Sequence, residues 1–131
     1  MEKQNLRQVM AGGMAYKVQR LTGGSTATQV LNHGVTYITS TAGGTAATHA
    51  YGLQNPQAGL RKVILADVNS TREVKVITAS TTVLFYGSTN NAIIFSTGAV
   101  LPKRIELVGL SGTEWAVIQT STGVSLAGST I

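Results

Sequence analysis

The sequence predicts an all-β protein, a jelly-roll-like or related antiparallel β-sandwich with a short N-terminal arm. Three observations carry this. Runs of β-branched and aromatic residues recur about every ten residues through the second half of the chain, the spacing of strands in sandwiches and barrels. Ser and Thr make up about a fifth of the 131 residues, and Thr is restricted at χ1 in the way a pleated strand favours. Several runs alternate charged with apolar residues, giving each one wetted and one buried face.

The elements follow in order. Residues 1–20 form one compositional unit. Leu6, Val9 and Met10 fall at helical spacing among helix formers, and Ala11-Gly12-Gly13-Met14 ends the pattern. So short a helix is marginal alone in water, so the segment is either disordered or ordered by docking. From residue 21 the texture becomes β. Leu21-Thr22-Gly23-Gly24-Ser25 reads as a turn, 29–31 and 34–39 as strands, and Val35, Tyr37 and Thr39 share a face. Residues 48–53 follow as a strand, and Asn55-Pro56-Gln57-Ala58-Gly59 breaks it. Further strands are predicted at 61–66, 73–78, 82–86, 92–96, 104–108 and 115–119, with a last short one at 124–126. The chain thus divides into an arm, 1–20, and a β-sandwich domain, 21–131.

Two runs are apolar on both faces, Val83-Leu84-Phe85-Tyr86 and Ala92-Ile93-Ile94-Phe95. Strands of this kind are central or covered by another subunit. In so short a chain they predict an oligomer, with Phe85, Ile94 and Phe95 at the interface between copies.

Composition narrows the function. The chain is 43% hydrophobic and only 11% charged, less than half the roughly 25% usual in soluble domains. Such a surface has little charge repulsion to keep copies apart. Cysteine is absent, which removes disulfides, thiolate chemistry and sulfur-ligated metals. The polar start, Met1 to Arg7, is unlike a secretory signal, and no run reaches the roughly 18 apolar residues of a membrane span. The expectation is a protein that folds in a cytoplasm, with no membrane partner. Of the net charge of +5, Lys3, Arg7, Lys17 and Arg20 lie in the arm against Glu2 alone. A basic segment of this kind meets an acidic surface, nucleic acid or a membrane, or simply stays solvated.

Catalysis requires convergent acids, bases or metals. The acids are Glu2, Asp67, Glu73, Glu106 and Glu114, and the imidazoles are His33 and His49. Glu73 and Glu106 stand on wetted strand faces beside Lys75 and Arg104, where cross-strand charge pairing is the expected role and a glycosidase-like carboxylate pair the weaker alternative. The histidines lack a third ligand at metal spacing, so no cofactor or resident metal is expected, although one His per subunit on a threefold axis would escape a single-chain motif. No Gly-x-Ser-x-Gly or phosphate-cradling Gly-Lys-Ser/Thr is present. The aromatics are embedded in apolar strands, against a base-stacking platform, and no nucleic-acid partner is expected. Arg61-Lys62 and Lys103-Arg104 form two basic doublets at strand entrances, placed to meet phosphates, an acidic partner or solvent. These observations together favour a structural protein over an enzyme.

Residues 55–120 resemble a module of bacteriophage structural proteins. The stretches concerned are Gly59-Leu60-Arg61-Lys62-Val63-Ile64-Leu65-Ala66-Asp67, Val74-Lys75-Val76-Ile77-Thr78, Phe85-Tyr86-Gly87-Ser88, Ile93-Ile94-Phe95, and 105–118. The last is similar to the strand, Gly-rich turn, Trp, strand hairpin of tail-fibre, head-fibre and capsid-decoration proteins. In it Gly112 is expected to take a positive φ, and Trp115 supplies a large buried area. The resemblance implies a virion component, usually a homotrimer. The absence of a long shaft favours a decoration (cement) protein on the capsid exterior, with the major capsid protein as partner. Lys3, Arg7, Lys17 and Arg20 would then contact the shell. The alternative is a receptor- or glycan-binding head or tail fibre protein.

Overall fold

The computed structural model describes residues 18–22, 29–30, 34–39, 48–67, 73–96 and 103–128, which form eleven strands and no helix. They are β1 (Val18–Thr22), β2 (Gln29–Val30), β3 (Gly34–Thr39), β4 (Thr48–Leu53), β5 (Arg61–Asp67), β6 (Glu73–Thr78), β7 (Leu84–Phe85), β8 (Ala92–Phe95), β9 (Lys103–Gly109), β10 (Glu114–Thr120) and β11 (Val124–Ala127). The arm residues Lys3, Arg7 and Lys17 lie outside the described residues, as does His33. Arg20 does not: it belongs to β1, so the sheet starts at Val18, inside the segment read as arm.

Two mixed sheets pack face to face. Sheet A has the order β1-β3-β5-β9-β10-β7, and sheet B the order β2-β4-β6-β8-β11. The first six strands alternate between the sheets, odd in A and even in B, and run parallel within each. The chain therefore winds as a flattened coil, placing one strand on each sheet per turn. Strands one turn apart in a coil point the same way, which makes their pairing parallel. After β6 the path changes: β9 pairs antiparallel with β5, β10 with β9, β8 with β6, and β11 with β8. Only β7 returns to a parallel partner, β10. The two-sheet all-β architecture is that expected from the sequence, but antiparallel pairing holds for its second half alone.

The burial pattern shows why these residues form these strands. Alternation is strict in β3, β9 and most of β5. Inward side chains of both sheets form one core: Ile38, Ile64, Ile105, Leu107, Phe85 and Trp115 from A, and Tyr51, Leu53, Val74, Val76, Ile93 and Phe95 from B. At about 25 cal/mol per Å² of apolar surface, such burial is the main favourable term in folding. A small second cluster, Ile77, Ala92 and Ile94, lies on the opposite face of sheet B with Ala50 and Ala127. This bears on two of the three residues expected between copies. Phe85 and Phe95 are 1% and 0% exposed within the chain's own core and offer no surface to a second copy, and Ile94 is 9% exposed in the second cluster.

The β9–β10 hairpin is present, with Trp115 fully buried. Its turn is closed differently from the expectation. Gly112 is not among the residues with positive φ. Instead Leu110 N donates to Glu114 O at 2.9 Å and Thr113 N to Ser111 Oγ at 3.2 Å, a side-chain-to-backbone closure typical of serine in turns. The glycine the hairpin requires is Gly109, where a Cβ would lie 2.0 Å from Gln57 O. That close approach lets Gly59 N donate to Gly109 O and Gly109 N to Leu60 O, both at 2.8 Å.

Candidate interaction surface

Strand periodicity decides where each charged residue points. In β5, Lys62 is two residues from Ile64 and four from Ala66, so it shares their inward face, and Arg61 points out. In β9, Lys103 shares the inward face of Ile105 and Leu107, and Arg104 points out. Each basic doublet is thus split, with Lys62 and Lys103 buried at 0% and 1% exposure. The outer face of sheet A keeps Arg20, Arg61 and Arg104 and carries no lysine among the described residues.

The buried lysines are the residues sequence reasoning missed. The signal was there: two-residue spacing from Ile64 and from Ile105 puts both on core faces. Lys62 lies between Gly34 and Leu107 across its two ladders. Its Nζ donates to Thr36 Oγ1, which donates in turn to Gln19 Oε1 at 3.0 Å. Burial disfavours the ammonium form and lowers the Lys62 pKa from 10.5 to about 7. Burial likewise raises the Tyr51 hydroxyl above its usual value. Lys103 packs its stem against Gly123, whose φ of +87° suits glycine and where a Cβ would meet Lys103 Cε at 2.7 Å.

The acids are spread apart. Glu106 is on the outer face of sheet A, and its Oε1 lies 3.3 Å from Arg61 Nη2. Glu73 faces outward from sheet B, because Val74 and Val76 point into the core. The two carboxylates considered as a glycosidase-like pair therefore stand on opposite outer faces with the core between them. Asp67 Oδ2 accepts the Tyr37 hydroxyl at 3.3 Å. His49 is in β4 on sheet B, where its backbone alone is described. Among the described residues no group of three His, Cys, Asp or Glu side chains could hold a metal ion.

What the outer face of sheet A offers is a broad surface of arginine, tyrosine and valine. The Arg20 guanidinium carbon lies 5.6 Å from the centroid of the Tyr37 ring, within cation–π range. The ladders align Val18, Val35 and Val63 in one cross-strand row beside Glu106. At the far side a bulge between Val117 and Gln119 breaks the β9–β10 ladder. Past it, Arg104 Nη2 donates to Gln119 Oε1 and Arg104 N to Ser121 Oγ at 2.8 Å. Tyr86, next to the β7 edge, is 69% exposed. Arginine and tyrosine are the residues enriched where proteins bind proteins, and lysine is depleted there.

No protein-family model matches this sequence, and no curated protein matches it at a significant level.

Proposed function

We propose that the chain is a bacteriophage capsid decoration protein: a homotrimer that binds the exterior of the shell and stabilises it by bridging subunits of the major capsid protein. The observation that carries this is the position of Arg20. The basic N-terminal segment joins the fold at β1, the edge strand of sheet A. The segment is therefore joined in sequence to a strand of that sheet, and in this reading both engage one partner surface. On the outer faces of the described residues the cations Arg20, Arg61, Lys75 and Arg104 are equal in number to the acids Asp67, Glu73, Glu106 and Glu114, so the surplus of Lys3, Arg7 and Lys17 over Glu2 in the N-terminal segment biases docking toward an acidic shell. A protein that binds only the assembled lattice stabilises it by mass action, and three copies of the site multiply affinity through avidity. The trimer rests on the resemblance to phage structural proteins, since Phe85 and Phe95 lie inside the core.

The test is to add the purified chain to shells that lack it and image them. Copies are expected across the lattice at local threefold positions; copies at a single vertex or tail would overturn the proposal. Removing residues 1–17, which leaves β1 whole, is expected to preserve the fold and abolish shell binding. Light scattering is expected to return about three times the 13.6 kDa chain mass, and a clean monomer would remove the trimer. A second reading, a receptor- or glycan-binding fibre head, is favoured by exposed Tyr86, whose ring is free to stack on a sugar. The same images separate the two.

A further inference from the structure

The three outward arginines of sheet A differ in what holds them. Arg61 is paired with Glu106 at 3.3 Å. Arg20 and Arg104 have no carboxylate within ion-pair distance among the described residues; Arg20 lies over the Tyr37 ring, and Arg104 is held by the neutral Gln119 amide. Both belong to one cross-strand row. The register places Arg20 opposite Tyr37, Tyr37 opposite Leu65, and Leu65 opposite Arg104. Two carboxylates flank this row without pairing with either of its arginines: Asp67 accepts the hydroxyl of Tyr37 within the row, and Glu106 pairs with Arg61.

We infer that this row, Arg20–Tyr37–Leu65–Arg104, is a docking site for an acidic extended segment of a partner protein. The inference rests on the capsid-binding reading and names the contact on the fold itself. Charge complementarity selects the occupant. Two uncompensated guanidinium groups stand at the ends of the row, and an aromatic ring and a leucine lie between them. Adjacent strands are about 4.8 Å apart, so three strand steps separate the arginines by roughly 14 Å. An extended segment rises about 3.4 Å per residue with alternate side chains on one face. Carboxylates four residues apart, with an apolar residue midway, therefore match the row. Gln119 holds the Arg104 guanidinium at one end, and stacking on Tyr37 restrains Arg20 at the other. Restraint of this kind reduces the entropy lost when each guanidinium meets a carboxylate.

The experiment uses the full chain and three probes: a synthetic peptide with two Glu four residues apart around a central Leu, a peptide of identical composition with the two Glu adjacent, and a short DNA duplex. Binding is followed by NMR shifts at 50 and 300 mM salt. The spaced peptide is expected to bind at least fivefold more tightly than the adjacent one, with the preference weakening at the higher salt. Arg20→Gln with Arg104→Gln is expected to abolish the preference while the melting temperature is kept, and Arg61→Gln is expected to retain it. Equal binding of the two peptides, a preference unaffected by the double substitution, or tighter binding of DNA than of the spaced peptide would overturn the inference. Shell binding by the double variant at the level of the unmodified chain would overturn the row and leave the capsid-binding proposal standing; loss of shell binding only with residues 1–17 would do the same.

Discussion

Followed inward along sheet A, the coil end and the antiparallel end are filled differently. At the coil end, the inward positions of β1, β3 and β5 include Gln19, Thr36 and Lys62, joined by hydrogen bonds into a polar line under the sheet. At the other end, Ile105, Leu107, Phe85 and Trp115 fill the same layer. Both ends bury apolar side chains, Ile38 and Ile64 at the first and Ile105 and Leu107 at the second, yet the first adds a hydrogen-bonded polar line and the second adds the rings of Phe85 and Trp115 beside the buried Lys103. Buried polar groups contribute little net stability even when paired, and a buried cation costs energy unless well compensated. Stability should therefore be concentrated at the antiparallel end, with the coil end opening first.

The largest expected effect lies at the aromatic end. Trp115→Ala empties the largest buried side chain and is expected to cost about 3–5 kcal/mol in chemical denaturation. Trp115 Nε1 has no hydrogen-bond partner, so Trp115→Phe removes an unpaired buried donor along with the ring area it loses. It is expected to cost less than about 2 kcal/mol. If Trp115→Ala costs no more than about 2 kcal/mol, the indole ring is not the anchor of that end.

The next effect has the opposite sign and belongs to the coil end. The unfolded chain holds a proton on Lys62 up to pH 10.5, the folded chain only up to about 7. Between those values unfolding takes up a proton, so stability rises with pH across that window. Below about pH 7 the full cost of the buried ammonium is carried. Lys62→Met is expected to stabilise the protein by about 3 kcal/mol at pH 6, with the gain fading toward pH 10.5. Urea melts of both proteins at pH 6, 8 and 10 check this, and a gain that does not change with pH would place the cost elsewhere than in charge. The smallest effect is at the surface pair. Glu106→Gln should change stability by less than about 1 kcal/mol, and less again at high salt, because Arg61 is largely exposed.

Much of the fold was legible residue by residue. The strands at 34–39, 48–53 and 73–78 have the predicted bounds, because alternation and β-branching act within a few residues. The run at 82–86 contracted to Leu84–Phe85, since apolar content without alternation says little about where a ladder ends. The candidate surface was half legible. Arg61 and Arg104 were visible as members of basic doublets. Their separation from Lys62 and Lys103 needed only the two-residue period applied inside each doublet. The row that joins Arg104 to Arg20 was not visible, because Leu65 and Tyr37 reach their places through pairing across long stretches of chain.

By itself the sequence determined an all-β chain, the positions of most strands, and which residues of each strand share a face. These follow from backbone sterics and side-chain alternation, which are local. Tertiary structure alone decided that the first six strands alternate between two sheets and pair in parallel within each, and that Phe85 and Phe95 are core residues. It also decided that two arginines line one row. The physical reason is that ladder hydrogen bonds join backbone groups common to all residues, so a strand's own side chains do not name its partner. That choice is made by how two sheets close over a shared core.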